Sequence, residues 1–166
     1  MSTLLEKTVR VNRILTTSTD HARAIDDPTR AQVVRILYRK LLSAEQITKE
    51  LHKSGHKKAL TTVRHHLDIL KESGLIEVAK IIESRGAITK FYSTSTKLLG
   101  YDTPKDFDAK YSKVINSTST KVERILKSMN IDSDKKSKNA NLDGYSQYIA
   151  MEIMNRAMTN VFENYK

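Results

Sequence analysis

Lys57, Lys58, Thr61, Thr62, Arg64 and His65 crowd into one short stretch, and every one of them carries a side-chain hydrogen-bond donor. A lysine ammonium binds phosphate as a point charge. An arginine guanidinium can grip either phosphate or the O6/N7 edge of guanine. Thr61 and Thr62 can meet a phosphate or a thymine methyl, and His65 can donate to a base acceptor. Further along the chain Arg85 sits between Ser84 and Gly86, with Lys80 and Lys90 on either side. An arginine at such a tip suits the negative potential of a narrow A·T-rich minor groove, and the two lysines suit flanking phosphates. The chemistry these residues offer is recognition of a nucleic acid rather than bond making.

Catalytic and metal signals are weak by comparison. The chain has no cysteine, no glycine-rich phosphate loop and no carboxylates paired at a recognisable spacing. We therefore expect no enzyme, no cofactor and no metal. The pair His65-His66 does not alter that expectation. Neighbours on a helix point about 100° apart and cannot share one ion well. His66 falls at the edge of an apolar stripe and reads as a packed, hydrogen-bonded core histidine. Asp68 is misplaced for a phosphate contact and reads as the partner of a nearby basic residue.

These groups need elements to hold them. Thr17-Ser18-Thr19-Asp20 is rich in capping side chains and predicts a short helix over 21–25. Asp27 then precedes Pro28, a cap followed by the residue best suited to the first helical turn. Val33, Val34, Leu37 and Leu41 form an apolar stripe, so a helix is expected over 28–41. Ser43 and Gln46 have the spacing of a capping box, and Ile47 and Leu51 mark the inner face of the helix it starts. Ser54-Gly55 ends that helix. Val63, Leu67 and Leu70 define the buried face of a third helix over 60–73, which Gly74 stops. With those three inward, Thr61 and His65 point away and Thr62, Arg64 and Asp68 flank them. Residues 75–82 and 88–94 are rich in β-branched and aromatic side chains. They flank Glu83-Ser84-Arg85-Gly86-Ala87, the pattern of a hairpin. Three helices followed by a two-stranded hairpin is the element order of a winged helix, with the third helix as reader and the hairpin as wing.

Charge follows the same division. Residues 28–97 hold 14 Lys and Arg against 6 Asp and Glu, a net of +8 out of the chain's +10. A basic excess concentrated in one segment fits a polyanionic partner. No apolar run reaches the length of a membrane span and the N-terminus has no signal-peptide pattern. A soluble, cytoplasmic, nucleoid-associated protein is expected, without membrane contact.

After Lys97 the pattern is helical. Phe107, Tyr111, Val114 and Ile115 fit one helix, and Val122, Ile125, Leu126 and Met129 fit another. Residues 132–141 read as a polar loop. A last helix is expected over 142–165. Tyr145, Ile149, Ile153, Ala157 and Val161 recur every four residues on it, and Tyr and Met residues widen the stripe. Such a face suits a homodimer, because a symmetric reader of DNA must set two reading helices about one turn apart. The N-terminal residues 1–18 carry Leu4, Leu5, Val11, Ile14 and Leu15 and read as an arm. The expected division is an arm at 1–18, a winged helix-turn-helix at 19–97 and a helical dimerisation region at 98–166.

Two runs carry a family resemblance. Ala24-Ile25-Asp26-Asp27-Pro28-Thr29-Arg30, followed by Val33 to Leu37, resembles the opening of ArsR-like winged-helix regulators. Thr62 to Ile76, with its paired histidines and Gly74-Leu75-Ile76 exit, is similar to their recognition helix and its passage into the wing. The resemblance spans about residues 20–97 and implies a transcriptional regulator that binds double-stranded DNA. The turn at 52–59 is longer than that pattern, and the cysteines of metal-sensing members have no counterpart.

The fold expected is mainly α with a small β-hairpin wing, a winged helix-turn-helix followed by a helical C-terminal region. The function expected is sequence-specific binding of double-stranded DNA by a homodimer, with the effector, if any, left open. The alternatives are a winged-helix module that binds proteins within a transcription or other assembly, and a non-specific nucleoid DNA-binding protein. RNA binding belongs with the nucleoid reading as a weak third, since only 6% of the residues are aromatic.

Overall fold

The computed structural model describes residues 17–84, 86–129 and 144–165. Its elements run α1 (Thr19–Ile25), α2 (Pro28–Leu37), β1 (Leu42–Ser43), α3 (Ala44–Lys53), α4 (Leu60–Glu72), β2 (Glu77–Ser84), β3 (Ala87–Ser93), α5 (Phe107–Ser128) and α6 (Gly144–Asn164). Residues 17–101 form one compact unit, and the described residues from Asp102 onward belong to a second. The fold is a winged helix-turn-helix followed by a helical C-terminal region, as the sequence implies. The arm at its N-terminal end, the polar loop at 132–141 and Arg85 lie outside the described residues.

The caps of the first unit are local and strong. The Ser18 hydroxyl accepts from the His21 N–H at 3.0 Å and starts α1. The Asp27 carboxylate accepts from the N–H groups of Thr29 and Arg30 at 2.8 and 3.0 Å and starts α2, with Pro28 in the first turn. Arg30 reaches backward as well. Its Nε donates to the Ala24 carbonyl and its Nη2 to the Arg23 carbonyl, closing the C-terminal end of α1. The Asp-Pro-Thr-Arg run thus starts one helix and ends the one before it. Ser43 and Gln46 form the expected capping box on α3, with Ser43 N–H donating to the Gln46 side chain at 2.8 Å.

The core joins these helices. Val33, Val34 and Leu37 of α2 meet Ile47 and Leu51 of α3, and Val63, Leu67 and Leu70 of α4, all fully buried. Leu75, Ile76 and Tyr92 close it from the wing side, and Leu98 packs against it beyond the wing. β1 adds a third strand to the expected hairpin, giving an antiparallel sheet in the order β1-β3-β2. Leu42 pairs with Tyr92 and Ser43 with Phe91, so the wing is tied to the start of α3. The buried Thr94 hydroxyl donates to the Leu75 carbonyl at 2.6 Å and fastens the end of β3 to the exit of α4.

Two expectations need correction. The second helix ends at Leu37, not at residue 41. Tyr38 leaves helical geometry, Arg39 adopts φ 56°, and Leu41 is exposed rather than in the stripe. The chain turns there to deliver Leu42 to β3. The two short helices expected after Phe107 are one continuous helix, α5. The polar stretch between them, Asn116 to Lys121, contains neither glycine nor proline, and polarity alone does not break a helix.

Candidate nucleic-acid interface

α4 is held by its inner face. Val63, Leu67 and Leu70 are buried, which leaves Thr61, Arg64, His65 and Asp68 exposed on the outer side and Thr62 half-buried at the flank. The turn before it is built from backbone. Gly55 takes φ 86°, the His56 N–H donates to the Leu51 carbonyl at 2.9 Å, and the His52 imidazole bonds the Lys58 carbonyl at 2.9 Å. Those bonds absorb the added length of the turn and leave Lys57 and Lys58 exposed just ahead of α4. Ala59 precedes the helix and supplies no side-chain cap, unlike Ser18, Asp27 and Ser43 before α1, α2 and α3. The first N–H groups of α4 therefore have no side-chain acceptor, and the helix dipole adds positive potential there.

Arg64 has a partner that sequence reasoning missed. Its Nη2 donates to Glu45 Oε1 at 2.9 Å, and the Ser43 hydroxyl donates to Glu45 Oε2 at 2.9 Å. The Glu45 carboxyl is held below its ordinary value, first by its own backbone N–H and the Ser43 hydroxyl, with Arg64 adding to them. Glu45 and Arg64 are 19 residues apart, so only the packing of α3 on α4 brings them together. Glu45, Arg64, Asp68, Lys90 and Tyr92 line one recess of about 520 Å³ between the start of α3, α4 and β3. Arg64 of α4 and Lys90 of the wing thus line the same recess. Lys57 and Lys58 lie on the turn, outside that recess. Lys80 is exposed on β2. Asp68 makes no ion pair with a described residue, contrary to the expectation of a basic partner.

His66 is buried at 8% exposure, but its Nδ1 has no hydrogen-bond partner, so the expected hydrogen-bonded histidine is only half right. Burial holds the imidazole below its ordinary pKa, partly offset by the nearby Asp27 carboxylate and helped by Arg30, His65 and Lys58. No cluster of three or more metal-binding side chains occurs among the described residues, and no described helix is long and apolar enough to cross a membrane.

The residues expected at a dimer contact lie along α6. Tyr145, Ile153, Ala157 and Val161 are exposed and Ile149 is half-buried, while the residues buried on this helix, Ser146 and Ala150, lie one position further round.

Fold and site together define a helix-turn-helix protein of the winged kind. A family model described as a helix-turn-helix domain matches residues 25–79, from the end of α1 into β2, about a third of the chain. No curated protein matches the sequence.

Proposed function

We propose that this chain is a transcriptional regulator of ArsR-like type that binds double-stranded DNA as a homodimer and recognises its sequence. The carrying observation is the outer face of α4: Thr61, Arg64 and His65 are exposed together, opposite a fully buried Val63-Leu67-Leu70 face. α4 then lies in the major groove, with Arg64 and His65 at base edges and Thr61 and Thr62 at phosphates or a thymine methyl. Lys57 and Lys58 hold phosphate beside the uncapped start of α4, where N–H groups and dipole already favour an anion. The wing, with Lys90 on β3, follows the minor groove, and Arg85, which the sequence sets between Ser84 and Gly86, is its proposed minor-groove residue. The arm at 1–18, the reader at 19–97 and the dimerising region at 98–166 are the working division. Tyr145, Ile149, Ile153, Ala157 and Val161 on α6 are the proposed face between copies.

Selection of bound duplexes from a random pool, followed by titration against salt, tests the reading. A two-fold symmetric motif with a steep negative salt slope is the expected result. Salt-sensitive binding without an enriched motif makes the chain a non-specific DNA-binding protein, and no binding at low salt makes the winged unit a protein-interaction module. On the selected site, Arg64→Ala is expected to cost about 1–3 kcal/mol and relax one base preference. A uniform loss on all sequences would assign Arg64 to phosphate.

A further inference from the structure

Along the outer face of α4 the donors of Thr61, Arg64 and His65 give way to a carboxylate at Asp68. Seven residues make almost two full turns, so Asp68 falls within about 20° of Thr61 around the helix. Asp68 is exposed and shares the recess between α4 and β3 with Arg64, Lys90 and Tyr92. Arg64 stands one turn back at the i, i+4 spacing of a helical ion pair, yet its guanidinium goes to Glu45. Lys90, across the recess, makes no ion pair with Asp68 either. Glu72, one turn further on, belongs to a separate recess beside Asp20 and Arg23 of α1. Among the described residues, then, the carboxylate on the middle of this face has no cationic partner.

We infer that Asp68 is a specificity-determining residue, whose carboxylate accepts from the exocyclic N4 amine of a cytosine in the major groove. This rests on the reading of α4 as the helix that enters that groove. Three considerations lead to cytosine. First, an ionised carboxylate only accepts hydrogen bonds. Guanine and thymine turn acceptors toward the major groove, and adenine sets its N7 acceptor beside its N6 amine. Cytosine presents a donor alone. Second, the segment 28–97 carries a net charge of +8, which suits a polyanion, and a carboxylate on its reading face is repelled by every phosphate. No cation of the protein relieves that repulsion, because Arg64 is held by Glu45. A cytosine amine offsets it, and a duplex without one does not. Asp68 therefore acts chiefly by penalising the wrong sequences. Third, four residues span about 6 Å along α4, close to two base steps of about 3.4 Å. Arg64 and Asp68 thus address different base pairs of one half-site, and the cytosine lies within two base pairs of the position that Arg64 reads.

Selection of duplexes from a random pool by the full chain, by Asp68→Ala and by Asp68→Asn, all at one salt concentration, tests this. The parent motif is expected to contain the cytosine. Asp68→Ala is expected to lose the preference at that position and keep the rest of the motif. Asp68→Asn is expected to move it to adenine, whose N6 and N7 an amide can bond together. In titrations, replacing the cytosine by thymine is expected to weaken the parent about tenfold and Asp68→Ala less than twofold. Asp68→Ala should also bind unselected duplexes more tightly than the parent. Far-UV circular dichroism checks that both variants fold. A motif in Asp68→Ala identical to the parent's overturns the inference. It does so equally if affinity rises uniformly on all sequences, which would make Asp68 a plain repulsive charge. In that case the motif itself and the loss in Arg64→Ala persist, so the DNA reading stands without Asp68. A parent chain that enriches no motif overturns sequence recognition, and the role of Asp68 with it.

Discussion

The winged unit and α5 solve opposite problems with helices of the same chain. α2, α3 and α4 are 10, 10 and 13 residues long, too short to stand alone in water, and each buries a face against the others. Caps at Ser18, Asp27 and Ser43 fix where α1, α2 and α3 begin, and Arg30 fixes where α1 stops. α5 is about twice that length, shares with α4 the lack of a side-chain cap, and has no fully buried residue. The comparison teaches that rigidity and surface are allotted to different parts of this protein. The first unit uses its apolar side chains to hold Arg64 and its neighbours in place. α5 keeps most of its apolar side chains exposed, with Val122 and Leu126 half-buried.

The comparison is broken most directly in the core. Leu67→Ala is expected to cost about 2–5 kcal/mol, read as a lower urea midpoint, because Leu67 is fully buried between α2, α3 and α4. A loss below 1 kcal/mol would show that the unit is loosely packed and remove the contrast. Asp27→Ala is expected to cost about 0.5–2 kcal/mol by the same measurement, since two N–H groups lose their acceptor.

Acid gives a smaller effect with a definite sign. Burial keeps the His66 imidazole below its ordinary value, so it is neutral in the fold. Unfolded chains take up that proton near pH 6.5, and the stability present above that value is lost as pH falls through the lower, folded pKa. Urea midpoints measured from pH 7 downward are expected to decline below about pH 6.5, and His66→Leu to flatten this part of the curve. An equal decline in the variant would assign the effect to other groups. The smallest effect is expected on α5. At concentrations where the chain is monomeric, Ile125→Ala should change the stability of the winged unit by less than about 0.5 kcal/mol. A larger change would mean that α5 supports the core.

Much of the winged unit is legible because its decisive signals are local. Asp27-Pro28, the Ser43–Gln46 box, Gly55 and Gly74 each declare a helix end within a few residues. Val63, Leu67 and Leu70 fix the buried side of α4 and therefore its exposed side. Failures arise where the outcome depends on distant packing. Leu41 continues a stripe on paper, yet the strand pairing of Leu42 with Tyr92 takes the chain out of the helix first. Glu45 gives no hint in sequence that it holds Arg64, because the contact exists only once α3 lies on α4. The unpartnered Nδ1 of His66 is likewise a property of its surroundings. In α5 the reading failed for another reason: polar Asn116 to Lys121 looked like an interruption, whereas the helix continues through it.

The Glu45 carboxylate gives Arg64 a resting place inside its own molecule. On the DNA reading, every duplex competes with that internal ligand for one guanidinium. The pair is exposed on both sides and worth no more than about 1 kcal/mol, so it biases Arg64 toward a guanine, with two acceptors aligned to the fork, without shutting out other acceptors. Discrimination at that base pair then comes as much from what the arginine gives up as from what it gains. A chain carrying Glu45→Gln would grip more sites and tell them apart less well.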